Sequence, residues 1–150
     1  MLQTEAPMFY FAFGSNLDRQ QMKRRCPESK LVAPATLPNH ALGFTGYSWA
    51  WGGAVATVAE KRGAETEGLL YKLTDDDLRA LDSFEGHPNV YRRVRKYVRG
   101  ADGRRVRAYV YIRPLDEPDD PSEEYLRVIM RAYMKHGFSM RSLKRALRWS

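Results

Sequence analysis

Apolar residues first gather at Phe9 to Phe13 (FYFAF), a short aromatic run bounded by Pro7 and Gly14. Such a run between chain breakers predicts a buried strand that ends at a glycine turn. Asn16 or Asp18 then offers a cap for a short helix through Arg25, stopped before Pro27. Leu31 to Leu42 reads as extended and irregular, broken by Pro34 and Pro38. Gly52 and Gly53 precede Ala54 to Ala59 (AVATVA), a strand of small residues with close backbone neighbours. Glu67 to Leu73 (EGLLYKL) reads as a further, separate strand.

Thr74 and Asp77 have capping-box spacing, Leu78 and Leu81 form an apolar edge, and Gly86 ends the helix so begun. Asn89 to Arg99 and Arg104 to Arg113 predict two strands joined by the turn Gly100-Ala101-Asp102-Gly103. In the second, Val106, Ala108, Val110 and Ile112 share one face, and Arg105, Arg107, Tyr109, Tyr111 and Arg113 the other. Tyr125, Val128, Ile129, Ala132, Tyr133 and His136 recur at helical spacing between a Ser122 cap and a Gly137 stop. A short basic helix is expected from about Ser139. About six short strands, not separated by regular helices, imply an α+β fold with a mostly antiparallel sheet, open or closed into a barrel.

At 150 residues, 43% of them hydrophobic, the chain is expected to form a single domain spanning residues 1–150. Cys26 is its only cysteine, so an internal disulfide or a thiolate zinc cluster is excluded. No apolar run reaches the roughly 18 residues that span a bilayer. Met1 to Pro7 has no basic segment followed by an apolar one, so a soluble, cytoplasmic protein without membrane partners is expected. The net charge of +7 is unevenly placed. Nine basic residues and one acid lie between Gly86 and Arg113, and seven basic residues with no acid follow from Arg127 onward. Such charge permits attraction to nucleic acid or to an acidic protein. The basic tail from Arg127 to Arg148 has little aromatic interleaving and no RRM, KH or helix-turn-helix pattern, so nucleic acid ranks last among the readings.

Two segments could carry chemistry. Phe13-Gly14-Ser15-Asn16-Leu17 joins a buried strand to a helix start, where glycine lets backbone approach a ligand and exposed amides suit an anion. It lacks the spacing of a P-loop, a dinucleotide fold or a nucleophile elbow, and ordinary turns also look like this. Leu81-Asp82-Ser83-Phe84-Glu85-Gly86 sets two carboxylates at a helix end, where the dipole prefers cations. A glutamate wedged beside Phe84 would be partly desolvated, its pKa raised toward a usable general base; the plain alternative is a solvated surface acid. His40, His87 and His136 are scattered without ligand spacing, so no metal is expected. Cys26 reads as an inert, buried thiol.

Taken together, these segments resemble the γ-glutamylcyclotransferase-like superfamily. Tyr10-Phe11-Ala12-Phe13-Gly14-Ser15-Asn16-Leu17 is similar to its loop, usually written YGSN, with Phe13 where the family commonly has tyrosine and therefore one hydroxyl fewer. Gly52 to Val58 resembles its second glycine strand, and Glu67 to Leu73 the strand leading to its short helix. Leu81-Asp82, Glu85-Gly86 and Tyr91 match the segment that holds its catalytic glutamate, and the match continues through the Tyr109 strand and the Tyr125 to Gly137 helix.

The resemblance implies a small, mostly antiparallel β-barrel with flanking α-helices, and an enzyme that cyclises a γ-glutamyl group to 5-oxoproline with release of the attached amine. It makes Glu85 the general acid/base. Tyr10, Phe11, Ala12, Phe13, Gly14, Ser15 and Asn16 would hold the glutamyl moiety, and Tyr91 and Tyr109 would line the pocket. No metal, nucleotide or other cofactor is required. The partner is a small-molecule γ-glutamyl substrate, with an acidic carrier protein as a variant suited to the basic Arg92 to Arg113 stretch. A binding module that kept the pocket without turnover is the alternative from another class.

Overall fold

The computed structural model describes residues 7–147. The expectation of no leader rests on residues 1–7, nearly all of which lie outside the described residues, as does Arg148 of the basic tail. Among the described residues, five strands and four α-helices follow in the order β1 (Met8–Ala12), α1 (Arg19–Arg25), β2 (Lys30–Ser48), β3 (Gly53–Leu73), α2 (Asp75–Glu85), β4 (Arg92–Gly100), β5 (Arg105–Ile112), α3 (Glu123–His136) and α4 (Arg141–Leu147). A 3-10 turn, Ser15–Leu17, links β1 to α1. The strands close into a barrel in the order β1-β3-β2-β4-β5. Every pairing is antiparallel except β1 against β5, where Tyr10 lies opposite Tyr109. The α+β, mostly antiparallel barrel expected from the sequence is therefore the observed architecture.

The strand count differs from the expected six because two strands are far longer than their sequence patterns. Leu31 to Leu42 is not broken: β2 runs for 19 residues through both Pro34 and Pro38. Its second edge pairs with β4 only at Ala35 and Thr36, so most of that edge needs no donor and a residue without an N–H fits. Its register against β3 shifts between Pro38 and His40, where Asn39 takes a positive φ of 58°. The segments Ala54 to Ala59 and Glu67 to Leu73 are likewise one strand, β3, of 21 residues. β2 runs alongside both ends of it, and the exposed charges at Glu60, Lys61 and Arg62 hide this continuity from any hydrophobic pattern.

α2 matters most for the site. The Thr74 hydroxyl accepts from the Asp77 amide at 3.2 Å and the Asp77 carboxylate accepts from the Thr74 amide at 3.1 Å, completing the expected box. Gly86 adopts the left-handed conformation (φ 66°) that terminates the helix immediately after Glu85. α1 is capped by Asp18, whose side chain accepts from the Gln20 amide. α3 is capped by Ser122 and stopped at Gly137. The core binds these layers together: Phe11, Leu17, Met22, Leu69, Leu81, Ile129 and Tyr133 are all essentially inaccessible to solvent. Among the described residues, no helix is long and apolar enough to cross a membrane.

Candidate active site

A cavity of about 290 Å³ opens where β1, the turn after it, the end of α2 and the start of α3 converge. That is close to the lower end of the size range of small-molecule sites. Gly14 bends the chain on one side. A Cβ on Gly14 would lie 3.2 Å from the Tyr125 hydroxyl and 3.3 Å from the Ala56 Cβ, so only a bare backbone approaches the cavity this closely. Glu85, the last residue of α2, lines the same cavity.

Glu85 is half-buried by surface, yet withdrawal of its carboxyl from water pushes its pKa from 4.5 up to about 7, while the Arg25 guanidinium pulls it the other way. Phe84, expected to shield it, instead projects outward at 56% exposure with Arg25 stacked 4.7 Å over its ring. The desolvation comes from the cavity walls. Burial raises the pKa of Tyr10, Tyr91 and Tyr125, and the nearby Glu85 charge adds to each shift. Three phenols thus remain protonated donors around one carboxyl.

A hydrogen-bond network fixes these groups. The Asn16 side-chain amide donates to the Tyr10 hydroxyl at 3.0 Å, while its carbonyl accepts from Gln21 at 3.0 Å and from Arg25 at 3.3 Å. Gln21 also donates to the Ser15 hydroxyl at 2.8 Å. The Tyr91 hydroxyl donates to the Ala56 carbonyl at 2.6 Å, and the Ala56 amide donates to the Tyr125 hydroxyl at 2.9 Å. Because Tyr10 and Tyr125 accept in these bonds, each keeps its own hydrogen for a ligand. Tyr111 donates to Asp82 at 2.7 Å, and Asp82 also pairs with Arg93, which locks the last turns of α2 onto β4 and β5.

The structure brings Tyr10, Phe13, Gly14, Ser15, Asn16, Glu85 and Tyr91 to this one cavity. It does not bring Phe11 or Ala12, whose side chains are fully buried in the core beneath it. Strand alternation explains Phe11: when Tyr10 faces the cavity, its neighbour must face away. Tyr109 is also absent from the lining. Its ring is held between the guanidinium groups of Arg93 and Arg95, and its hydroxyl accepts from Arg95 at 2.6 Å. Tyr111, two residues along on the same strand, lines the cavity instead, because α2 reaches only that far through Asp82.

Sequence reasoning missed Tyr125, Arg25 and Arg113, all of which line the cavity. Tyr125 carried a signal only for a buried helical face, and no pattern marks which buried hydroxyl meets a ligand. The histidines stand apart: His40 is buried with Nδ1 on the Pro38 carbonyl, and His87 accepts from the Arg93 amide. Cys26 is buried with its Sγ on the Asp77 carbonyl, and burial pushes its pKa up to about 12, so it is no nucleophile.

The profile of the family described as "Gamma-glutamyl cyclotransferase, AIG2-like" matches residues 10–128. The human protein named gamma-glutamylcyclotransferase is 27% identical over 91% of this chain and 75% of its own length. Its bovine counterpart is 28% identical over the same shares. A solved structure named gamma-glutamyl cyclotransferase superposes with a TM-score of 0.87 at 24% identity, covering 97% of this chain and 89% of that one. The matched residues include the Gly14 bend, Glu85 and Tyr125, the walls of the cavity just described; the chain belongs to the gamma-glutamyl cyclotransferase, AIG2-like family.

Proposed function

We propose that this cavity cyclises a γ-glutamyl amide to 5-oxoproline and releases the attached amine, with Glu85 as the general acid/base. The observation that carries the reading is a desolvated carboxyl, its pKa raised to about 7, lining one small cavity with the Gly14 bend and two phenols with free hydrogens. A carboxyl poised near neutrality both accepts and returns a proton readily.

The reaction balances within one substrate. Glu85 as carboxylate takes a proton from the α-ammonium group of the glutamyl moiety. The freed amine attacks the γ-carbonyl carbon, forming the ring C–N bond and a tetrahedral oxyanion. Collapse of that intermediate breaks the original amide C–N bond; Glu85 returns the first proton to the departing nitrogen, and the second proton shed by the ring nitrogen leaves with the amine, which departs as its ammonium. No water is consumed. Holding the tail curled supplies much of the rate, since well-oriented intramolecular attack is worth about 7–11 kcal/mol. Tyr10, Tyr125 and the amides of the turn after Gly14 offer donors to the substrate carboxylate and to the oxyanion. The missing hydroxyl at Phe13 leaves that wall apolar, beside Phe11.

The basic stretch argues for a small molecule over an acidic carrier. Arg93 pairs with Asp82, Lys96 with Glu60, Arg99 with Glu65 and Arg104 with Asp102. Arg95 stacks on Tyr109 and Arg105 on Tyr97. Most of this charge is engaged within the fold.

The test is a 5-oxoproline release assay over a panel of γ-glutamyl amino acids, γ-glutamyl amines and glutathione. The proposal expects equal amounts of 5-oxoproline and free amine from at least one of them. Release of free glutamate, or tight binding without turnover across the whole panel, would overturn it.

A further inference from the structure

The cavity has a clear inside and outside. Tyr10, Asn16, Ala56, Tyr91, Tyr111 and Tyr125 form a floor in which each residue is at most 9% exposed. At the mouth, Tyr47, Phe84 and Val90 line the same cavity while 50–56% exposed. Seven large apolar side chains are strongly exposed among the described residues, and three of them ring this one opening. Single exposed apolar residues are ordinary; a cluster at a site entrance marks a contact surface.

These mouth residues are held in place. Arg25 lies over the Phe84 ring, and Tyr47 packs edge-on against Trp49 at 5.0 Å. Val90 is close enough to Gly86 that a Cβ there would meet it at 2.9 Å, which pins it beside the end of α2. Arg113 also reaches the mouth, its guanidinium 5.6 Å over the Tyr91 ring. Arg113 has no carboxylate partner among the described residues, and its side chain packs against Gly46, next to Tyr47.

Glu85 is half-buried and follows Phe84 of the mouth in the chain, so with the glutamyl moiety held over the floor and its γ-carbonyl beside Glu85, the attached group extends toward the mouth. We infer that Tyr47, Phe84 and Val90 form a leaving-group subsite for a large apolar or aromatic α-amino acid, with Arg113 facing its carboxylate. The inference rests on the proposed cyclotransferase reading and adds the class of amine released. An apolar leaving side chain covers exposed rings that a glycine leaves in water, a difference that accumulates in kcat/KM.

The experiment compares 5-oxoproline release from γ-glutamyl-phenylalanine, γ-glutamyl-glycine and γ-glutamyl-aspartate by the wild type and by the double variant Tyr47→Ala, Phe84→Ala. The wild type is expected to favour the phenylalanine substrate over glycine by about tenfold or more in kcat/KM, with aspartate no better than glycine. The double variant is expected to lose about tenfold of that ratio, mainly through KM. Both side chains are largely exposed, and a melting curve checks that the variant folds; should the double variant fail to fold, Phe84→Ala alone gives the same comparison. Similar kcat/KM for phenylalanine and glycine in the wild type, or a preference that survives the substitutions, would overturn the subsite while leaving the cyclotransferase reading intact. Absence of turnover with all three substrates, with glutathione and with the γ-glutamyl amines would overturn both.

Discussion

Burial holds the Glu85 carboxyl at about 7, whereas in the unfolded chain it titrates near 4.5, so between these values the folded state binds a proton that the unfolded state releases. The sign follows from linkage: Glu85 subtracts stability as pH rises through this window, because its charged form is the one the cavity penalises. Glu85→Gln is therefore expected to raise the melting temperature at about pH 8, with a gain of about 1–3 kcal/mol that shrinks toward about pH 5. Thermal melts at both pH values check this. The same titration predicts an acid limb in kcat/KM, with activity falling as pH drops below about 7 because a protonated Glu85 cannot accept from the substrate ammonium. Gly14→Ala probes the bend that lines the same cavity. Its new Cβ presses on the Tyr125 hydroxyl and on Ala56, and a rate loss of about tenfold or more with little change in melting is expected. At this scale the sequence carried the carboxylate, the bend and, among their neighbours, Tyr10, Phe13, Ser15, Asn16 and Tyr91, but not the exclusion of Phe11, Ala12 and Tyr109 from the lining. Tyr109 and Tyr111 share a strand face, and only the reach of α2 decides which one meets the cavity.

Elements with strong local chemistry were legible. The Thr74 box, the Asp18 and Ser122 caps and the Gly86 and Gly137 stops each satisfy helix-end groups within a few residues, so their pattern survives in the sequence. β2 and β3 were not. Their continuity comes from pairing across up to about 40 residues of chain, and two prolines and a charged stretch interrupt the hydrophobic pattern without interrupting the ladder. α2 is the element that presents Glu85, and its box is testable alone. Thr74→Ala is expected to cost about 1 kcal/mol, lowering the melting temperature by about 2–4 °C. A calorimetric melt checks it.

For the whole molecule, the barrel brings the turn after β1, the start of α3 and the end of α2 to one opening, although Gly14, Glu85 and Tyr125 are far apart in the chain. The net charge of +7 reads differently once folded, since much of the basic β4–β5 hairpin is spent on internal ion pairs and ring contacts. No retention on single-stranded RNA is expected at about 0.15 M salt, and a salt-graded column would show it. Larger hollows elsewhere lack this convergence: in the one beside α4, of about 450 Å³, Glu65 is paired with Arg99 and Glu67 accepts from the Ser139 amide.

The most direct measurement is 5-oxoproline formation by Glu85→Gln under saturating γ-glutamyl substrate, with ligand binding followed in parallel by calorimetry. Loss of turnover by at least about a hundredfold, with substrate still bound, is the predicted result. A variant that keeps cyclising at the wild-type rate would contradict the account.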